Sequence, residues 1–473
     1  MSNENKAAVD GPIYDARTLG TPKMLILGAQ HLFAMFGATV LVPILTGLSV
    51  SATLLFAGLA TLFMHLVTKR KVPVFLGSSF AFLAGYGIVK GKGVAEYGLT
   101  EPQALVYACV GVACAGLLYL VLSAICKAVG SKNVMRFFPP VVTGPIIIAI
   151  GLILAPSAIN NCSSNWWIAL VAIAVVIVCN IWGKGMVKII PILMGVLVSY
   201  IAAVIFIPEV RANVAQSVAA AKWIGLPVNI EQDTVFGLFA SGNVNTGLLI
   251  SSIIMIVPIA FATMMEHVGD ISAIGGTIEK NLIEDPGLHR TLIGDGVGTT
   301  IAALFGAPAN TTYGENTGVL VLTKVYDPRV VRIAAVFAVV LSFCPKFAAL
   351  ISAMPAATIG GVSIILYGMI SAVGVRNMVE NHTDFQKSRN VIVAAVILGL
   401  ALGVNFSGLL GASITADGNN ATGAISFMIG EMKIGLSGLA VASIVGIILN
   451  AILPGKRDEY MPNQENSGSL GKF

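Results

Sequence analysis

Long apolar runs separated by short polar connections occupy most of this 473-residue chain. A membrane-spanning helix needs about 20 predominantly apolar residues, and charged residues or Gly and Pro clusters mark the ends of each run. The runs predict fourteen spans, at residues 23–45, 51–68, 72–90, 102–126, 137–158, 165–183, 187–207, 246–274, 291–307, 308–323, 330–350, 357–375, 390–410 and 434–453. The pattern favours an all-α polytopic membrane protein.

The composition narrows the class of protein further. Hydrophobic residues make up 56% of the chain and charged residues only 11%, whereas soluble domains carry about 25% charged residues. This balance excludes a soluble enzyme, a disordered chain and a nucleic-acid-binding module, and it makes the lipid bilayer the expected surroundings. The six cysteines form no CxxC pair, and no HExxH or GxSxG motif is present. We therefore expect no metal, no cofactor and no enzymatic activity.

The distribution of basic residues predicts the orientation. If the N-terminus is cytoplasmic, the fourteen spans place 22 of the 28 Lys and Arg residues on the cytoplasmic side, as the positive-inside rule requires. The expected location is the cell (cytoplasmic or inner) membrane, with both termini in the cytoplasm. The longest polar connection, residues 208–245, then lies outside and divides the spans into seven plus seven.

Seven spans per half force the second half to enter the membrane from the opposite side, which is the inverted-repeat plan of secondary transporters. Segments three and ten are repeat mates, and both are interrupted, by Val72-Pro73-Val74 and by Ala307-Pro308-Ala309. Interrupted mates predict two half-helices whose N-termini present free N–H groups to a ligand. The alternative is a pair of loops at the membrane surface.

Acidic residues inside apolar spans are costly and usually functional. Glu266 and Asp270 lie in segment eight at positions i and i+4, so they share a helix face, although Asp270 could instead lie at the water interface. Glu315 follows Gly314 in segment ten, where a carboxylate could cap a helix, bind a ligand or do both. His31 in segment one corresponds to His267 in segment eight, its repeat mate. A lone helical histidine is more often a packing residue than a proton carrier.

The residue types also restrict the ligand. Acids without a buried Arg or Lys exclude a simple anion, whereas a small neutral molecule with N–H donors and carbonyl acceptors suits carboxylates and backbone amides. Phe80 and Tyr313 could pack on a flat ring. A passive channel would be expected to carry rings of charge or repeated carbonyl filters, which this pattern does not suggest.

The motifs in both halves resemble those of the nucleobase/ascorbate transporter family. The family signature, an acid, amide or proline followed by N-x-G-x-x-x-x-T and a basic residue, matches Glu315-Asn316-Thr317-Gly318-Val319-Leu320-Val321-Leu322-Thr323-Lys324. Further matches are Gln30-His31-Leu32-Phe33, Gly77-Ser78-Ser79-Phe80-Ala81-Phe82, Asp285-Pro286-Gly287-Leu288-His289-Arg290 and Asn310-Thr311-Thr312-Tyr313. The resemblance implies uptake of uracil or a related nucleobase by proton symport. A xanthine or uric acid symporter of the same family is the alternative, and Glu315 before the signature Asn favours a pyrimidine.

The resemblance also implies a division into domains, with short antiparallel strands in segments three and ten. The core domain would comprise residues 23–132 (segments 1–4) and 246–355 (segments 8–11), and the gate domain residues 133–207 (segments 5–7) and 356–453 (segments 12–14). Residues 208–245 would be the extracellular connection, and residues 1–22 and 454–473 cytoplasmic tails. A homodimer is expected on the same basis.

The family pattern assigns roles to individual residues. It implies that Glu266 and Glu315 hydrogen-bond the base, and that the remaining contacts come from Ala38, Ser79, Phe80, Tyr313, Gly314 and, from the gate domain, Tyr367. The uracil-type pattern has a histidine one turn after the substrate glutamate, where this chain has Asp270. The candidates for proton coupling are therefore Asp270, Glu266 and His31.

Overall fold

In the computed structural model, the described residues are 11–406, 424–429 and 432–454, and most of them are helical. The helices before the central connection are α1 Thr21–Thr46, α2 Val50–Val67, α3 Leu83–Tyr97, α4 Glu101–Val129, α5 Ser131–Met135, α6 Pro140–Ser163, α7 Trp166–Ile181, α8 Met186–Ile189 and α9 Pro191–Phe206. The connection contains α10 Pro208–Ala220, α11 Ile230–Asp233 and α12 Val235–Ala240.

The second half contains α13 Thr246–Ile256, α14 Ala260–Thr277, α15 Leu288–Leu304, α16 Glu315–Thr323, α17 Pro328–Ser342, α18 Pro345–Ser352, α19 Ala356–Glu380, α20 Ser388–Phe406 and α21 Gly438–Ile452. Short 3-10 turns cover Ala16–Leu19 and Val257–Ile259, and a π turn covers Ile283–Gly287. The strands are β1 Leu76–Ser78, β2 Asn310–Thr312, β3 Ala424–Ile429 and β4 Met432–Ser437. β1 pairs with β2 and β3 with β4, both antiparallel.

Local sequence explains several helix ends. α1 has a proline in its first turn and ends at Gly47, whose left-handed backbone (φ 91°) suits glycine. Thr100 and Gln103 form a capping box at the start of α4. These signals set where helices begin and end, while packing sets how they are arranged.

The helices pack in pairs that recur when the two halves of the chain are exchanged. The contact of α2 with α17 corresponds to the contact of α15 with α4. The contact of α1 with α17 corresponds to that of α13 with α4, and the contact of α7 with α9 corresponds to that of α20 with α21. The extensive contact of α6 with α19 maps onto itself under this exchange. The packing therefore has the two-fold relation between halves that the repeat predicts.

Close approach of α6 and α19 depends on glycine. A Cβ atom at Gly151 would meet the carbonyl oxygen of Tyr367, and one at Gly374 would lie 2.6 Å from the carbonyl oxygen of Gly144. Small residues let helix backbones approach closely in membrane proteins. This contact fixes the position of Tyr367.

Among the described residues, seven helices are long and apolar enough to cross a membrane if α13, the turn after it and α14 count as one, or up to nine if each of two sharply bent pairs also counts as one span. The bends lie between α9 and α10 (108°) and between α17 and α18 (88°). The fold is thus that of a polytopic, mainly helical membrane protein. The count of fourteen spans stays a prediction, because several of the predicted segments contain short or broken helices.

The expectation of helix throughout the last segment was wrong. Residues 424–429 and 432–437 form the hairpin β3–β4, so helix α21 begins at Gly438 and not at residue 434. From Met432 to Ser437 apolar and non-apolar residues alternate with the period of a strand, and the hydrophobic run concealed this alternation. Residues 407–410, the end of predicted span thirteen, lie outside the described residues.

The N-terminal segment 11–19 docks against the connection after α16. Ile13 pairs with Val325 as a parallel bridge, and the Ala16 amide donates to Asp327 Oδ2 at 2.7 Å. The Tyr14 hydroxyl donates to the carbonyl oxygen of Ile278 at the end of α14 (3.1 Å). The segment therefore joins the ends of two helices, α14 and α16, whose other parts carry candidate site residues.

Candidate functional site

The strand pair β1–β2 is the centre of the candidate site. Its register places Leu76 opposite Thr312 and Ser78 opposite Asn310. α3 begins shortly after β1 and α16 shortly after β2. Since the strands are antiparallel, the two short helices start from opposite ends of one small sheet, and each directs a helix N-terminus with its free N–H groups at this region.

Two threonines from the neighbouring helices hold the strands in the same way. The hydroxyl of Thr61 on α2 accepts from the Leu76 amide (2.9 Å), and the hydroxyl of Thr299 on α15 accepts from the Asn310 amide (3.2 Å). The Thr299 hydroxyl also donates to the carbonyl oxygen of Asn310 at 3.1 Å. Sequence reasoning missed these residues. Their matching places in segments two and nine were the available signal.

Asp270 lies beside β2. Its Oδ2 accepts from the Thr312 hydroxyl at 2.9 Å, and a Cβ atom built at Gly314 would lie 3.7 Å from its Oδ1. Glu266 lies one helical turn earlier on α14, and both acids are partly buried. The structure thus brings Asp270 into contact with the strand pair and Gly314, with Glu266 on the same helix face.

Glu315 is the first residue of α16, directly after Gly314. The position of its side chain lies outside the described part of the structure. Its role as a ligand of the base stays a prediction.

Phe80 and Tyr367 meet across the boundary between the predicted core and gate domains. Their ring centroids are 5.9 Å apart at an interplanar angle of 75°, an edge-to-face contact between two buried rings. Beside Phe80, a cavity of about 10 Å³ is bordered by residues of α6 and α21, including Ile150, Leu154 and Leu439. This volume holds about one water molecule and is far too small for a pyrimidine ring.

Three further predicted residues surround the strand pair. The Tyr313 hydroxyl donates to the carbonyl oxygen of Ser78 at 2.9 Å, and its ring lies directly over Gly77. The Ser79 amide donates to the carbonyl oxygen of Ala309 (2.8 Å), whereas its buried hydroxyl has no hydrogen-bond partner among the described residues. Ala38 is buried on α1. Of the three, Ser79 offers a buried polar atom that a ligand could satisfy.

His31 is fully buried and contacts Asn316 on α16. The Asn316 Nδ2 lies 3.2 Å from His31 Nδ1 and 3.1 Å from the His31 carbonyl oxygen. Since an amide nitrogen donates, this contact is compatible with Nδ1 as the acceptor. In this arrangement His31 connects α1 to α16, and its part in proton coupling stays a prediction.

A buried pair that the sequence analysis did not identify joins His267 to Asp295. His267 Nδ1 lies 2.8 Å from Asp295 Oδ2, and both side chains are wholly inaccessible to solvent. The pair connects α14 to α15, and its α14 member, His267, directly follows Glu266 in the chain. Asp295 is an acid inside predicted span nine, so the rule that singled out Glu266 would also have found it.

Comparison with known proteins identifies the family of the chain. Residues 22–410 match the permease family. The chain is 40% identical over 461 residues to the uracil permease of Bacillus caldolyticus, covering 96% of each protein. It is 36% identical over 437 residues to the uracil permease of Escherichia coli (strain K12), covering 90% of each.

Two solved structures show the same fold at low sequence identity. The transmembrane domain of a cyanobacterium bicarbonate transporter, BicA, has a TM-score of 0.61 at 13% identity and covers 93% of this chain and 99% of that one. The structure of SLC26A9 has a TM-score of 0.56 at 10% identity, and the match covers 81% of this chain and 62% of that one.

The family match and these relatives, together with the apolar helices, define a multi-pass membrane permease, a class of transporter. Within that class, the chain belongs to the nucleobase/ascorbate transporter family.

Proposed function

We propose that this chain imports uracil across the cytoplasmic membrane by proton symport, with the core domain moving against the gate domain. The observation that supports uracil as the substrate is the 40% identity, over 96% of the chain, to the uracil permease of Bacillus caldolyticus. The site chemistry agrees with it, since uracil offers ring N–H donors to carboxylates and carbonyl acceptors to helix N-termini.

The mechanism rests on the placement of the acids. Glu266 and Glu315 would accept the ring N–H groups, while Asp270 carries the proton. Asp270 accepts from the Thr312 hydroxyl, which supports its role beside the strands that would contact the base. Alternating access would require the Phe80–Tyr367 contact to open, because the cavity beside Phe80 admits about one water molecule.

Uptake of labelled uracil in permease-deficient cells tests this function. We expect accumulation driven by an inward pH gradient, and better competition by uracil or a close 5-substituted analogue than by xanthine, hypoxanthine or ascorbate. Stronger competition by xanthine would assign the chain to a purine substrate. Equilibration without accumulation would instead indicate a passive channel.

A further inference from the structure

A groove of about 270 Å³ lies where the N-terminal segment meets α1 and the end of α16. We define this N-terminal groove by its lining residues Ile13, Leu19, Lys23, Ile26, Leu27, Thr323 and Val325. Five of the seven are apolar, one is basic and one is a threonine. A drug-sized ligand occupies roughly 300–1,000 Å³, so the groove suits part of an extended apolar molecule.

The groove opens beside an apolar surface of the helices. Leu25 and Ile26 on α1 are 44% and 59% exposed, and Val321 and Leu322 on α16 are 57% and 50% exposed. In a multi-pass membrane protein, such residues near a helix end face acyl chains. The apolar wall of the groove is therefore continuous with a lipid-facing surface.

Lys23 stands at the polar end of the groove. It precedes Ile26 and Leu27 by three and four residues in α1, so the three side chains share one helix face. Lys23 is exposed, and its ammonium group forms no ion pair with another described residue. Lysines at helix ends extend their ammonium groups to the headgroup region.

Two acidic residues of the segments beside the groove, Asp15 and Asp327, are already paired with arginines. Asp15 pairs with Arg17 (2.7 Å) and with Arg329 (2.7 Å), and Asp327 pairs with Arg329 (2.8 Å). The Arg17 hydrogen bonds hold the pKa of the Asp15 carboxyl well below its usual range, so it keeps its charge and its partners. Lys23 is thus the basic residue of the groove lining that can meet an external anion.

We propose that the N-terminal groove binds an anionic phospholipid from the leaflet on the N-terminal side. Lys23 contacts the headgroup phosphate, and an acyl chain lies along Ile26 and Leu27. Basic pockets at helix ends on the cytoplasmic side are typical sites for anionic headgroups. A bound lipid would also contact Ile13 and Val325, the residues that pair the N-terminal segment with the end of α16.

Lipid retention by the purified full-length chain tests this proposal. Native mass spectrometry would compare added phosphatidylglycerol with added phosphatidylcholine. One lysine near an anionic surface contributes about 1 kcal/mol, so Lys23→Ala should weaken phosphatidylglycerol binding about fivefold relative to the parent. Lys23→Arg should retain binding, and Ile26→Trp, which narrows the groove without changing charge, should weaken it.

Lys184→Ala is the matched control, since Lys184 is an exposed lysine away from the groove, and it should bind as the parent does. Equal retention of the two lipids by the parent would show that the headgroup is not recognised. Unchanged binding by Lys23→Ala would overturn the proposal. If removal of residues 2–10 then increased lipid binding, the chain's own N-terminus would be the occupant.

Discussion

Asp295→Asn should destabilise the protein strongly, because it removes the acidic partner of His267 from a buried site. The two side chains have no solvent exposure, and Nδ1 and Oδ2 are 2.8 Å apart. All four polar atoms of the two side chains lack a hydrogen bond of good geometry among the described residues, so each side chain has only the other as a close polar neighbour. The amide would therefore place a neutral acceptor or an N–H donor against His267 Nδ1 in place of the carboxylate, and the described residues offer the imidazole no other partner.

The expected magnitude follows from burial. Removing one partner of a buried polar contact costs about 1–3 kcal/mol, and more where the remaining group is charged, whereas an exposed ion pair contributes about 0–1 kcal/mol. The chain offers a matched exposed pair in Lys71 and Asp285, whose side chains are 44% and 67% exposed. Asp285→Asn should accordingly change the free energy of unfolding by at most about 1 kcal/mol.

Equilibrium unfolding in mixed detergent micelles would measure both variants, with the double variant His267→Gln/Asp295→Asn as a third. We expect the double variant to be more stable than the sum of the single effects predicts, since it removes both members of the coupled pair. An Asp295→Asn protein as stable as Asp285→Asn would refute the reasoning, as would strictly additive single effects.

Three further outcomes are expected. Glu266→Gln should weaken uracil binding in purified protein about tenfold to a hundredfold, because an amide donor would face the ring N–H at a cost of about 1–3 kcal/mol. Normal affinity would exclude Glu266 from the site. The control Glu209→Gln, at an exposed residue of the connection, should have no effect. Asp270→Asn should still bind and exchange uracil, since the amide oxygen can accept from Thr312, yet lose accumulation driven by a pH gradient; unchanged accumulation in vesicles would move the coupling role elsewhere. Thr299→Val should lower stability by about 1–3 kcal/mol, because it leaves a buried amide at β2 unsatisfied, and unfolding measurements that show no loss would contradict this role of the hydroxyl.

Local pattern was sufficient for the predictions that depend on one segment at a time. Apolar runs and charges identified the membrane class, and the proline-containing stretches of segments three and ten identified where the helices are interrupted. Acids inside apolar runs led to Glu266 and Asp270 because burying a carboxylate is costly wherever the segment packs. The hairpin β3–β4 was missed because its alternating residues continue into an apolar helix.

Tertiary structure decided which of these residues meet. The partner of His267 is Asp295 on another helix, and the ring that contacts Phe80 belongs to Tyr367, far along the chain. Helical and strand periodicity determine which face of an element is apolar, but they carry no information on which distant element covers it. The hydrogen bonds of Thr61 and Thr299 to the strands likewise depend on how α2 and α15 pack against the sheet, which the periodicity of a single segment does not specify.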